Sequence, residues 1–374
     1  SMSKAAELAN LIGNINAGGG GVNRNVLING AMNVAQRGTS FTGQGGSNAV
    51  DYYLDRWNLY NNDTTGRFTV TQDSSAPSGF ANSLKVDVTT ADTSIGANEL
   101  LLFGTRIEGQ DLQRFAKGTS DAKPFAVSFY AKANASRVVI MELYDNDNTR
   151  HICSAVTLST DWTRHEITFP ADTTGAFGDD VNNSLSFNIW LMAGSNFTSG
   201  TLATSWASAN NTNRCVGVGN IFSSTDNTFF ITGVQLEVGQ NPTAFEHEPF
   251  QTTFQKCLRY TRRIPAQDST SGTGYNGLGT GGKNDETTSN QTYTYFEPHM
   301  RDDPAIESQS GSFRVHHAGA ATALSASITI EDNLSGSSHV CLVGTVSSGL
   351  TVGQSALIGQ SNDADAHIII ESEL

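Results

Sequence analysis

The chain has 374 residues, with 22 Lys and Arg against 36 Asp and Glu, and a formal net charge of −14. Residues 1–248 carry 15 basic and 23 acidic groups, and residues 249–374 carry 7 and 13; neither half offers the basic stripe that tracks phosphates, and an acidic surface is repelled by anionic membranes. With 37 Gly, 16% charged residues and Ser, Thr and Asn throughout, the composition points to an all-β protein rich in turns, of two or three domains.

The chain opens on "SKAAELANLIGNI", Ser3 to Ile15. Ser3 is placed to cap a helix, and Ala5, Leu8, Leu11, Ile12 and Ile15 form one apolar face. A helix this short is marginal in water and needs a partner, either its own copies or a docking site. Gly18 to Gly21 then form a flexible tether. No signal peptide and no apolar run of membrane length is present, and Ser1 before Met2 reads as a cleavage scar. The expectation is a chain made in the cytoplasm.

The folded body is expected from about Val26. Period-two apolar patterns recur in "RFTV", "SLKVDV", "PFAVSFYAKA", "RHEITFP" and "SLSFNIWLMAG", the mark of strands with one buried face. "RVVIMELYD", Arg137 to Asp145, is apolar on both phases and reads as a central strand. Turn clusters such as "YNNDTTG" and "YDNDNT" separate the runs. Many short strands so punctuated give a sandwich or barrel. In "NTFFITGVQLEVG" the apolar phase switches from Phe229 and Ile231 to Val234, Leu236 and Val238. Gly233 lies at the switch, which predicts a β-bulge.

After Pro242 the texture changes. Phe250, Phe254, Cys257 and Leu258 suggest a short helix, and Ser269 to Asn290 reads as a long glycine-rich polar loop. "QTYTYFEP", "GSFRVHHAG", "ALSASITIED", "SHVCLVGTV" and "AHIIIESEL" predict further strands. The expected organisation is a helix and linker over 1–22, a first β domain over 23–248 and a second over 249–374. Cys153, Cys215, Cys257 and Cys341 are widely spaced with no C-x-x-C, which argues against zinc. They read as buried free thiols, with one long-range bridge as the alternative.

"NVLINGAMNVAQRGTSF" followed by "YYLDRW" resembles the opening of the carbohydrate-binding-module-like domain of bacteriophage tail fibres of the marine phage type. "TGVQLEVGQNPTAFEHEPFQTTFQKCLRYTRR" is similar to that domain's last strand and its exit. "YFEPHMRDDPAIE" and "AHIIIESEL" resemble the start and the closing strand of the fibre domain that often follows. The resemblance implies a jelly-roll β-sandwich followed by a second, smaller β-sandwich, in which the opening stretch is the first strand pair. The residues fit: Val26, Ile28 and Ala31 are expected to enter the sandwich, Gly30 to permit a kink, Trp57 to fill the core, and Asp55 and Arg56 to pair. These three are expected to determine the fold rather than to touch ligand.

The resemblance further implies a non-enzymatic virion protein that attaches as a homotrimer to host-surface glycan, joined to the phage tail or another virion protein through its N-terminus, with the last domain facing the host. The rivals are a capsule polysaccharide depolymerase, a capsid decoration fibre, and a carbohydrate-binding module of a secreted bacterial enzyme. Against catalysis, Asp179–Asp180, Asp302–Asp303 and Glu331–Asp332 are adjacent pairs in turn-like contexts, and neighbours on a strand point to opposite faces. His316–His317 is a poor ligand pair for the same reason. "DNDN" offers Asp145 and Asp147 as hard oxygen ligands for calcium, but the same letters make a hairpin turn. The resembling modules often place an acidic residue in the last strand beside a structural calcium, where this chain has Thr232 and Gly233. The expectation is therefore a turn, with no metal and no cofactor. For glycan contact the aromatic candidates are Tyr52, Tyr53, Tyr60, Trp206, Tyr275, Tyr293 and Tyr295. Tyr275 beside Asn276 in the glycine-rich loop is the favoured pair.

Overall fold

The computed structural model describes residues 3–16, 22–265, 277–361, 363 and 365–374. The protein is all-β. It divides into two compact units, 1–253 together with Leu374, and 254–373.

Helix α1 (Lys4–Asn16) precedes the first unit's strands. The Ser3 hydroxyl accepts from the Ala6 amide (3.3 Å) and so caps it. Leu8 and Ile12 on this helix stand 57% and 50% exposed. The strands are β1 (Ser40–Gln44), β2 (Ala49–Tyr52), β3 (Asn58–Asn62), β4 (Arg67–Asp73), β5 (Ser83–Thr90), β6 (Leu100–Glu108), β7 (Phe125–Ala133), β8 (Arg137–Asp145), β9 (Arg150–Leu158), β10 (Thr163–Phe169), β11 (Asn183–Ala193), β12 (Ala207–Ser208) and β13 (Thr228–Val238). A six-stranded sheet in the order β1-β4-β5-β13-β7-β10 and a seven-stranded sheet in the order β12-β9-β8-β11-β6-β3-β2 form a jelly-roll sandwich. Alternate residues of both sheets build one core, including Trp57, Phe103, Phe129, Met141, Phe187 and Phe229. Trp57 stacks on Phe103 with ring centroids 4.9 Å apart and meets the edge of Phe187.

The predicted bulge is present. Along the β13–β7 ladder, Thr232 faces Tyr130 and Gln235 faces Ser128, so three steps on β13 match two on β7. Phe229, Ile231, Val234 and Leu236 are all buried as a result. Gly233 takes φ +62°, and a Cβ there would lie 2.7 Å from Phe80 and 2.9 Å from Tyr130. Gly233→Val is expected to cost about 1–3 kcal/mol through strain at this backbone position. Urea unfolding checks this, and an unchanged midpoint would contradict it.

The opening stretch does not form the expected strand pair. Residues 24–39 are turn and irregular chain, and the buried side chains are Leu27, Met32 and Val34 rather than Ile28 and Ala31. The cause is Asn29, which sits at φ +58°. Its amide nitrogen donates to the carbonyls of Val34 (3.0 Å) and Asp55 (2.9 Å). Its side-chain oxygen accepts from the amides of Asn33 and Val34, and its carbonyl accepts from Trp57 Nε1. One side chain thus supplies the partners that a ladder would have given. The same segment covers the part of β13 beyond the bulge: Val26 N donates to Leu236 O, and Val234 N donates to Gly30 O. Asp55 accepts from the Gln36 amide and side chain, at 2.8 and 2.5 Å. Asp55, Arg56 and Trp57 are all buried, in keeping with a structural role.

Helix α2 (Ser195–Thr198) follows β11, and α3 (Phe250–Cys257) is the short helix expected after Pro242. The second unit holds β14 (Thr261–Ile264), β15 (Gly281–Asn284), β16 (Ser289–Tyr295), β17 (Ala305–Ser310), β18 (Phe313–His317), β19 (Ala320–Ala323), β20 (Thr329–Ile330), β21 (His339–Thr345), β22 (Ala356–Gln360) and β23 (His367–Glu371). They make three short sheets, β14-β23-β17, β15-β16-β21-β20 and β19-β18-β22, around Phe296, Phe313, Leu342, Ile358, Ile368 and Ile370. The expected loop over 269–290 is shorter than the sequence suggests. From Gly281 it is a hairpin in which Lys283 pairs with Gln291 and Asn284 with Asn290; the buried Asn290 amide donates to Asn284 Oδ1. All four cysteines are free and buried.

Candidate functional site

Strand pairing in the seven-stranded sheet lines up residues far apart in sequence. Asn58 faces Gly104, Gly104 faces Asn188, Asn188 faces Glu142, and Glu142 faces Cys153, giving one row across five strands. A second row runs Tyr60, Leu102, Trp190, Ile140. Because side chains alternate along a strand, both rows point away from the core that Leu59, Phe103, Ile189 and Met141 fill. On this outer face lies a cleft of about 440 Å³ lined by Val50, Asn58, Tyr60, Leu100, Leu102, Thr105, Arg106, Tyr144, Asn146, Ser186, Asn188, Trp190, Phe197, Asn211 and Arg214. That volume lies within the range of small-ligand sites, about 300–1,000 Å³.

Gly104 leaves the gap in the middle of the first row. A Cβ there would stand 2.5 Å from the Phe187 carbonyl and 2.9 Å from Asn188 Oδ1. Beside the gap, Asn58 is 3% exposed and its Nδ2 has no hydrogen-bond partner among the described residues. An unmet buried donor costs about 1–3 kcal/mol. It faces a cleft, where a ligand oxygen can meet it.

The far wall is held by a buried carboxylate. Glu142 Oε1 accepts from Arg214 Nε (2.7 Å) and lies 3.2 Å from His151 Nδ1. Its Oε2 accepts from Arg214 Nη2 (2.8 Å), Trp190 Nε1 (3.0 Å) and Asn188 Nδ2 (3.1 Å). Burial alone would raise this carboxyl. The Arg214 charge and the hydrogen bonds from His151, Arg214 and Asn188 outweigh it and hold the group at about 2. The guanidinium carbon sits 4.5 Å from the Tyr144 ring centre and 4.9 Å from that of Trp190. Glu142, His151 and Cys153 bring three ligand-type atoms within 4.8 Å of one another. The Arg214 cation already sits on that carboxylate, and burial and the Glu142 charge push the Cys153 thiol up. The trio is therefore better suited to an ion pair than to a metal.

A second polar cluster accounts for Asp145. Lys117 Nζ, with its side chain fully enclosed, donates to Asp145 Oδ2 (2.5 Å) and to the carbonyls of Thr174 (2.9 Å) and Gly175 (2.8 Å). It also lies 3.2 Å from Asp172, which Arg150 grips with two nitrogens at 2.8 and 3.1 Å. The rings of Phe177 and Trp206 flank the ammonium. An ammonium thus sits among two carboxylates and two carbonyls, the oxygen set a calcium ion favours. Asp147 is exposed and accepts from the Gly178 amide at 2.8 Å.

The other aromatic candidates divide. Tyr60 lines the cleft, and its hydroxyl donates to Asn48 (3.1 Å). Tyr53 is a core residue, and Trp206 packs against the core. Tyr295 is 67% exposed and stacks on His339. Tyr275 and Asn276 lie outside the described residues. The sequence reading missed Asn58, Gly104, Glu142, Asn188 and Arg214. What hint there is lies in Asn188, a polar residue in the middle of "SLSFNIWLMAG".

A scan of protein families finds none that matches the sequence, and a search of curated proteins finds none either. Among solved structures the chain is similar to a family 11 carbohydrate-binding module from Clostridium thermocellum, in complex with a beta-1,3-1,4-mixed-linked tetrasaccharide. The identity is 13%, over 56% of this chain and 99% of that one, with a TM-score of 0.27. It is similar to a family 30 carbohydrate-binding module at 12% identity, over 57% and 86%, with a TM-score of 0.27. It is also similar to the enzymatically active domain of tailspike protein 4 of bacteriophage CBA120 at 13% identity, over 57% of this chain and 21% of that one, with a TM-score of 0.29.

Proposed function

We propose that the protein binds glycan in the cleft on the outer face of the seven-stranded sheet, without catalysing a reaction on it. The observation that carries this reading is the buried, unpartnered Asn58 amide beside the Gly104 gap, between the Tyr60 ring and the Arg214 wall. Aromatic faces with convergent amide and hydroxyl groups suit sugar rings, which present an apolar face and a polar edge. In the larger setting we take the chain to be a virion attachment protein of the fibre type that engages host-surface glycan as a homotrimer. The exposed Leu8 and Ile12 of α1 support self-association, since a helix of 13 residues gains its stability from a partner. This reading takes the first unit as the contact surface, where the sequence pointed to the last domain.

The full chain is expected to bind oligosaccharides on a glycan array. Tyr60→Ala and Asn58→Ala are each expected to weaken that binding about tenfold, the equivalent of one ring contact or hydrogen bond of about 1.4 kcal/mol. Neither change should lower the melting temperature, because removing Asn58 also removes an unmet donor. Binding that survives both changes would place the site elsewhere.

A further inference from the structure

We infer that the ligand of this cleft is an anionic glycan, carrying carboxylate or sulfate groups; the inference rests on the glycan-binding reading above. The cleft belongs to a stretch that is acidic overall, with 23 acidic against 15 basic residues over 1–248. Yet among the described residues its only charged lining residues are the two arginines, Arg106 and Arg214. The carboxylate behind the wall, Glu142, is fully buried with both oxygens engaged. Arg214 spends Nε and Nη2 on that carboxylate, and among the described residues Nη1 forms no hydrogen bond; its side chain is 17% exposed. Arg106 lines the cleft as well, with Nη1 donating to the main-chain oxygen of Leu374. The Asn58 amide adds a third donor.

A neutral sugar presents hydroxyls, each with a proton that seeks an acceptor, and a carboxylate serves that need best. A cleft whose described lining holds no Asp or Glu and offers guanidinium and amide donors fits oxygens that only accept. Carboxylate and sulfate are such groups, and the planar guanidinium suits them. The surrounding negative charge then discriminates by place: an anionic sugar is repelled by most of the surface and held here.

The test compares three oligosaccharides of one backbone, neutral, uronate-bearing and sulfate-bearing, titrated calorimetrically into the full chain at low and high salt. The expected result is binding of the uronate or the sulfate form at least tenfold tighter than the neutral one, with a preference that shrinks as salt rises. Which of the two wins identifies the source of the charge. Arg106→Gln is expected to reduce the ratio of charged-form to neutral-form affinity. Arg214→Lys, scored only if its melting temperature shows it folded, is expected to do the same. Equal affinity for all three forms overturns the inference and leaves the glycan reading standing. Binding of none overturns both.

Discussion

Lys117→Met is expected to lower the stability of the first unit by about 3–5 kcal/mol, the cost of leaving a buried carboxylate without its counter-charge. The side chains of Lys117 and Asp145 are wholly enclosed and 2.5 Å apart, so water cannot replace the lost ammonium. Asp172 keeps Arg150 and suffers less; Asp145 keeps the Asn148 amide, a neutral donor. Two carbonyls, of Thr174 and Gly175, lose a donor as well. Urea unfolding of Lys117→Met beside Lys117→Met/Asp145→Asn separates the causes. The double variant should recover part of the loss, since the stranded charge is gone. Chelator should leave the melting temperature of the parent chain unchanged, because the ammonium fills the oxygen cage that would suit calcium. A loss under 1 kcal/mol for the single variant would show that the cluster is not held by this charge.

Arg214→Met is expected to cost a similar amount at neutral pH, on the order of 3 kcal/mol, with a dependence on pH that marks its cause. Glu142 is held at about 2 in the folded chain against an ordinary 4.5. A depressed carboxyl contributes stability that is fully present above its ordinary value and is lost as pH falls through the folded value. The difference between parent and variant should therefore be full at pH 7 and shrink between about pH 4.5 and 2. Unfolding curves at pH 7 and pH 3 check it. A difference that does not change with pH would mean that Arg214 acts through packing on Tyr144 and Trp190 rather than through Glu142.

Much of the fold was legible because the period-two rule works where one face is buried and the other wet. It found β4, β5, β7, β10 and β11, and the phase switch at Gly233 located the bulge in β13. It failed at β6 and β9. In "LLLFGTRIE" both faces are buried, Leu101 and Phe103 in the core and Leu100 and Leu102 in the outer cluster under the cleft, so no alternation shows. In "RHICSAVTL" the outward His151 and Cys153 are buried as well. The opening stretch misled because its apolar letters look strand-like, while Asn29 at positive φ makes it a turn.

The site was barely legible. Asn58, Gly104, Glu142, Asn188 and Arg214 are polar or small residues on four strands and a loop, brought together by strand register and, for Arg214, by its ion pair with Glu142. No local pattern announces such a row. The calcium question had the same limit: "DNDN" was read with its neighbours, whereas the cation that meets Asp145 comes from Lys117, 28 residues earlier. The emphasis on the glycine-rich loop came from its length, and residues 281–290 of it belong to a hairpin.

The most direct measurement is a crystal structure of the full chain with the tightest-binding oligosaccharide from the array. The sugar is expected over Gly104, with an oxygen within hydrogen-bond distance of Asn58 Nδ2, a ring against Tyr60 and, for an acidic sugar, its charged group at Arg214. An oligosaccharide ordered anywhere else, with the cleft empty, would contradict the assignment of this face as the glycan site.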